Sequence, residues 1–132
     1  MLKKIIILFF LQLFVIHPSF STEKETTFNK EMFSKAQSDG KIVIVSSWIK
    51  YCSSCASQMK VLNKAKNDGK LLDIKFENIE YFSFDVTNKD IANLLNVKFQ
   101  TTLLIYKDNK EVYRSLGETT EDLIYEALKK AI

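Results

Sequence analysis

Ile42-Val43-Ile44-Val45 runs almost directly into Trp48-Ile49-Lys50-Tyr51-Cys52-Ser53-Ser54-Cys55, and this junction constrains the 132-residue chain more than any other feature. The run is β-branched and continuous, without polar alternation. That is the pattern of a strand buried on both faces, which belongs to a parallel or mixed sheet covered by helices. From Ser53 to about Lys66 the period becomes helical. Cys55, Met59, Leu62 and Lys66 fall on one stripe, with Ala56 and Ala65 beside it, and Asn67-Asp68-Gly69 ends the element. A strand that turns into a helix at C-x-x-C sets the first cysteine at the helix N-terminus. There the backbone N–H groups and the dipole stabilise a thiolate. Cys52 is therefore expected as the exposed nucleophile, and Cys55, one turn in, as the more buried resolving thiol.

The rest of the chain supplies elements around that junction. Residues 22–27 are polar and read as a loose start. Phe28, Met32, Phe33 and Ala36 have amphipathic helical spacing, stopped by Asp39-Gly40. Residues 70–78 give no clear pattern. Tyr81–Val86 is strand-like, and Asn88 can cap a short helix carrying Ile91, Leu94 and Leu95. Thr102–Tyr106 is a further apolar strand, Lys107–Lys110 a turn, and Glu111–Ser115 its hairpin partner. Gly117 precedes a last helix. Thr119 with Asp122 forms its start, Leu123, Ile124, Ala127, Leu128 and Ala131 its buried stripe, and Lys129 and Lys130 suit its C-terminal dipole. The expected order is α-β-α-β-α-β-β-α in one domain. Parallel strands arise from its βαβ part and an antiparallel edge from the hairpin.

The N-terminus reads as an export signal. Lys3 and Lys4 form a basic start, and Ile5–Ile16 is apolar but for Gln12. That run is short of the roughly 20 residues a membrane-spanning helix needs. Pro18 breaks it, and Ser19-Phe20-Ser21 offers small residues for cleavage after Ser21. The expected division is residues 1–21 as signal peptide and 22–132 as the domain, with an uncleaved anchor as the alternative. No lipidation cysteine follows the apolar run. Lys and Arg number 19 against 16 Asp and Glu, and without Lys3 and Lys4 the net charge falls to about +1. This near balance, with Arg114 the single arginine, gives no electrostatic basis for nucleic-acid binding.

The chain holds two cysteines and one histidine, and that histidine, His17, lies in the leader. Cys-His nucleophilic catalysis and a Cys₂His₂ zinc site are thereby excluded from the expected mature domain. A disulfide closing so short a loop restricts the unfolded chain little, so it makes a poor staple and suits redox chemistry better. Two alternatives stand beside redox exchange. One is a permanent inert disulfide. The other is a thiolate metal site, for which two thiolates per chain would require two chains to complete Cys₄ or [2Fe–2S] ligation.

Trp-x-x-x-Cys-x-x-Cys after an apolar strand resembles the thioredoxin family. The likeness continues through Phe84-Asp85-Val86-Thr87, through Val97–Leu104 and to Gly117, covering roughly residues 28–132. The resemblance implies an α/β thioredoxin fold, a central mixed β-sheet flanked by helices. It implies a protein-disulfide oxidoreductase that exchanges dithiol and disulfide with protein thiols through Cys52 and Cys55. No cofactor or metal is called for, and the expected form is a monomer in the periplasm of a bacterial envelope. Direction leans to reduction, fed by a membrane electron-transfer protein.

Three departures from the family pattern stand out. Ser53-Ser54 replaces Gly-Pro, Ser46 stands where the family has a buried Asp, and Thr101 stands at the cis-proline. A non-proline cis bond costs about 2.5–4 kcal/mol, so Thr101 is expected to be trans. Ser46 reads as a tolerated core polar residue. Trp48 and Tyr51 are expected as a packing platform beside the cysteines or as direct substrate contacts. Gln100 and Thr101 are expected as substrate-loop contacts or plain loop structure. Lys60, Lys64, Lys66 and Lys70 read as a solvated helix face. Ser46 and Thr101 also admit a rival from another class, a binding module on a thioredoxin fold that has lost turnover.

Overall fold

A computed structural model describes residues 24–71 and 74–131. The expected leader and its cleavage after Ser21 lie outside these residues. Helix α1 spans Lys30–Ser38, strand β1 Ile42–Trp48 and helix α2 Ser53–Asp68. A two-stranded hairpin follows, β2 (Lys70–Leu71) and β3 (Ile74–Lys75), then a 3₁₀ turn at Phe76–Asn78. Next come β4 (Ile79–Asp85), α3 (Lys89–Leu94), β5 (Thr102–Lys107), β6 (Lys110–Leu116) and α4 (Glu121–Ala131). The main sheet has the order β4-β1-β5-β6. β1 pairs parallel with β4, antiparallel with β5, and β5 pairs antiparallel with β6. This is the mixed sheet expected from the sequence.

The β-branched run of β1 lies at the centre because both its faces are covered. Val43 and Val45 join Phe28, Ala36, Phe82, Phe84, Ala92 and Leu95 on the α1/α3 side. Ile44 joins Leu62, Ala65, Leu103, Ile105, Ile124 and Leu128 on the α2/α4 side. Successive side chains of a strand point to opposite faces, so an unbroken apolar run is what a central strand between two helical layers requires. The β5–β6 hairpin turns through Asp108 and Asn109, at φ 52° and 60°. Two consecutive left-handed residues are the two-residue turn whose twist matches its strands, and Asn and Asp tolerate that region best after Gly.

Several boundaries differ from the sequence reading. Phe28 is not in α1. Asn29 caps the helix, its Oδ1 accepting the N–H groups of Glu31 and Met32 at 2.9 and 3.0 Å. Phe28 precedes that cap and packs on Phe33 with ring centroids 5.2 Å apart, a hydrophobic staple, while Met32 faces solvent. Of the residues expected as a loose start, Thr26 and Thr27 are tied to the outer edge of β4. Thr27 and Phe28 donate backbone N–H groups to Ser83 O, and the Thr27 and Thr26 hydroxyls accept from the N–H groups of Ser83 and Asp85. An edge strand left open would present unpaired donors and acceptors, and this segment covers them. Lys66, Leu94 and Leu123 are exposed, off the stripes to which their spacing assigned them. The cap of α4 is Thr120 and not Thr119, since the Thr120 hydroxyl accepts from Leu123 N at 3.4 Å. β4 begins two residues earlier than expected.

Candidate functional site

β1 ends beneath the site, and its last residues organise it. Ser46 is buried and its hydroxyl meets the Tyr81 hydroxyl at 2.7 Å, which makes it the core polar residue expected. Burial pushes the Tyr81 phenol well above its ordinary range. Ser47 points to the other side and holds a loop. Its hydroxyl donates to Phe99 O at 2.8 Å and accepts from Thr102 N at 3.0 Å, and its carbonyl accepts from Thr101 N at 2.8 Å. Trp48 is partly buried, and its carbonyl accepts from Val86 N. Its indole N–H is buried with no hydrogen-bond partner among the described residues.

The chain then turns at Tyr51, whose φ of 64° lies in the left-handed region. Tyr51 is 91% exposed, with Lys50 Nζ 5.1 Å from its ring centroid. It is therefore no part of a packing platform. The turn spends its side chain on solvent in order to aim the next residue at α2. Cys52 caps α2, its sulfur accepting the Cys55 N–H at 3.1 Å. Cys52 is partly exposed and Cys55 is 0% exposed, one turn into the helix on the stripe with Met59 and Leu62. The two are joined as a disulfide. An N-cap sulfur that already accepts a backbone N–H is placed to be stabilised as a thiolate when the pair is reduced.

Thr101 faces this pair. No peptide bond among the described residues is cis, and Thr101 is trans, as expected, with φ at 60°. A β-branched residue in that region is strained, and it persists only where its surroundings over-determine it. Here they do. Beyond the bond to Ser47, the Thr101 carbonyl accepts from Gly117 N at 3.1 Å and Gln58 Nε2 at 3.3 Å. The Thr101 hydroxyl lies 3.3 Å from Cys55 Sγ and 3.6 Å from Cys52 Sγ. Gln100, next to it, is exposed.

Gln58 is the residue that sequence reasoning missed. It is fully buried on α2, one turn after Cys55, and its Nε2 also donates to Glu118 O at 3.0 Å. Its Oε1 is buried without a partner among the described residues. The signal was present, because the stripe through Cys55, Met59, Leu62 and Ala65 includes position 58, and a polar residue there is unusual. Glu118 is itself held, accepting from the Tyr113 hydroxyl at 2.9 Å and from the Ser115 hydroxyl. Outside the loop a groove of about 320 Å³ is lined by Asn96, Lys98, Phe99, Thr102, Arg114 and Leu116. Among the described residues no group of three or more His, Cys, Asp or Glu is placed to hold a metal ion.

The thioredoxin family model matches residues 21–130. A thioredoxin H-type from Fagopyrum esculentum is 27% identical over 96 residues, which cover 72% of this chain and 77% of that protein. The solved structure of Trxlp from Edwardsiella tarda is 25% identical with a TM-score of 0.64, covering 75% of this chain and 92% of that one. The thioredoxin of Fasciola hepatica is similar in fold, with 23% identity and a TM-score of 0.59 over 77% of this chain and 89% of that one.

Proposed function

The chain belongs to the thioredoxin family and is a protein-disulfide oxidoreductase, and on that premise we propose that it is exported and reduces disulfides of envelope proteins through Cys52 and Cys55. The observation that carries the assignment of roles is the contrast between the two sulfurs. Cys52 is partly exposed at the N-cap of α2 and Cys55 is buried behind it. The Cys52 thiolate attacks a substrate disulfide, forming one mixed disulfide and releasing one substrate thiolate. The Cys55 thiolate then attacks Cys52 Sγ, closes the Cys52–Cys55 bond and releases the second substrate thiolate. Two electrons pass from the enzyme dithiol to the substrate, and each released thiolate takes up a proton from water. Exposed Tyr51 precedes Cys52, and exposed Phe99 and Leu116 flank the Thr101 loop, so the site has an apolar rim suited to a polypeptide.

Export is supported by the basic, apolar and small-residue pattern of residues 1–21, and the family match begins at residue 21. The reducing direction follows the Trp48-x-x-x-Cys52 approach, and a membrane electron-transfer protein is the natural donor for a monomer in that compartment. Four measurements test the reading. Wild type should catalyse insulin reduction by dithiothreitol, and no acceleration would defeat the enzyme reading in favour of a binding module. Cys55→Ser should accumulate mixed disulfides with envelope proteins, whereas Cys52→Ser should not, and trapping by Cys52→Ser instead would reverse the roles. A reduction potential near thioredoxin's, about −270 mV, supports reduction, and one near about −120 mV would make the protein an oxidant. Intact mass of protein purified from the envelope should correspond to residues 22–132. A retained Met1 would defeat the cleavage.

A further inference from the structure

We propose that Thr101 is a catalytic residue, whose hydroxyl donates a hydrogen bond to the Cys55 thiolate during resolution, and that Gln58 is its positioning residue. The inference rests on the oxidoreductase reading above. The hydroxyl is within reach of both sulfurs and is nearer Cys55, at 3.3 Å against 3.6 Å. In the oxidised pair neither sulfur carries a proton, so the Thr101 O–H is the donor, whereas the neutral thiol of the reduced pair can donate in its turn. On reduction Cys55 must lose its proton before it attacks, and a thiolate has no proton to give. From then on only the Thr101 O–H can donate. A hydrogen bond to the charged form favours that form.

The need for such a donor follows from burial. Cys55 is fully buried, and burial alone disfavours a thiolate. Where the family has a buried carboxylate this chain has Ser46, whose hydroxyl is engaged with Tyr81. Thr101 therefore supplies from the loop side what β1 does not. It does not act as a base. The proton leaves to water, the Cys55 Sγ–Cys52 Sγ bond forms, the bond from Cys52 Sγ to the substrate sulfur breaks, and the substrate sulfur departs with the electron pair. The hydroxyl keeps its proton throughout.

Holding that hydroxyl in place requires a strained backbone. Gln58 secures it by joining the Thr101 carbonyl and the Glu118 carbonyl through one amide nitrogen. Since Gln58 and Cys55 share one face of α2, the same helix carries the thiol and fixes its partner. Its Oε1 is buried without a partner among the described residues, so it is the amide's donors that tie α2 to the loop.

The test uses the mature domain in a Cys52→Ser background, where Cys55 is the sole thiol. Its titration is followed by ultraviolet thiolate absorbance, with circular dichroism to confirm folding. Thr101→Val keeps the β-branched shape and its strain and removes only the hydroxyl. The Cys55 midpoint should rise by about one pH unit, a tenfold loss of thiolate at pH below it. Thr101→Ser should restore the midpoint, and Thr101→Ala serves if the valine variant does not fold. Gln58→Leu should raise the midpoint with Thr101 present and have no further effect in Thr101→Val. With both cysteines present, an aromatic disulfide releases one chromophoric thiol on Cys52 attack and a second on resolution. Thr101→Val should slow the second phase about threefold, because lost thiolate is partly offset by higher intrinsic nucleophilicity. An unchanged Cys55 midpoint in folded Thr101→Val or Thr101→Ala overturns the proposal, as does equal slowing of both phases. Failure of wild type to reduce insulin would defeat the parent reading instead, and the titration would still decide whether Thr101 acts on Cys55.

Discussion

Thr101→Pro restores the residue that the family carries at this position, and the structure expects it to be harmful. Thr101 sits at φ 60°, and proline holds φ near −65°, so the backbone would have to turn by about 125°. Proline also has no N–H, and the Thr101 N–H is spent on Ser47 O at 2.8 Å. An orphaned buried carbonyl costs about 1–3 kcal/mol. Turning the backbone further withdraws the Thr101 carbonyl from Gly117 N and Gln58 Nε2, bonds of about 0.5–1.5 kcal/mol each. Set against the about 1–2 kcal/mol of left-handed strain that the turn releases, the expected destabilisation is about 2–3 kcal/mol, or a melting temperature lower by about 8–12 °C for a domain of this size. Thr101→Gly is the control. It keeps the N–H and relieves about 1–2 kcal/mol of left-handed strain, against about 0.5–1 kcal/mol of added backbone entropy, so it should melt within a few degrees of wild type. Thermal unfolding of the oxidised proteins by circular dichroism makes the comparison. If Thr101→Pro melts at or above the wild-type temperature, the left-handed loop is not the conformation in solution, and the reasoning built on it fails.

Other outcomes follow from the same geometry. Phe28→Ala should lose about 3–5 kcal/mol in chemical denaturation, because Phe28 is buried against Phe33, Phe82 and Phe84 although it precedes the first helix. A loss under about 1 kcal/mol would show the segment before α1 to be undocked. Tyr81→Phe should cost about 1–2 kcal/mol by leaving the buried Ser46 hydroxyl unpaired, and adding Ser46→Ala should recover part of it, so strict additivity would count against the contact. Arg114 grips the Glu111 carboxylate at 2.6 and 2.9 Å and holds its pKa below the ordinary range. The stability it adds is full above the unfolded carboxylate pKa, near 4.5, and is lost as pH falls through the lower folded value. Both side chains are about one-third exposed, so the contribution is at most about 1 kcal/mol. Glu111→Gln should flatten the acid limb of the stability curve by that much, and an unaltered limb would refute the pairing.

The sequence was most informative where structure is local. A continuous β-branched run, a helical period beginning at Cys55 and a C-x-x-C between them located β1, α2 and both cysteines, because each is set by neighbours a few residues away. The hairpin at Asp108-Asn109 and the cap at Asn88 were legible for the same reason. Spacing was less reliable at the rims of the stripes. Met32, Leu94 and Leu123 keep helical phase yet face solvent, since a helix buries only the arc that another element covers.

By itself, then, the sequence determined the mixed sheet, its central strand and the placing of one cysteine at a helix start with the other inside it. What surrounds those sulfurs was decided only by tertiary structure. Thr101 meets Cys55 across 46 positions, and Gln58 reaches Thr101 across 43 and Glu118 across 60. No periodicity encodes such bonds, because they exist only after the sheet has brought the β5 loop against the start of α2. The left-handed Thr101 is the clearest case. Local sterics disfavour it, and Ser47, Gln58 and Gly117, drawn from three other segments, together hold it there.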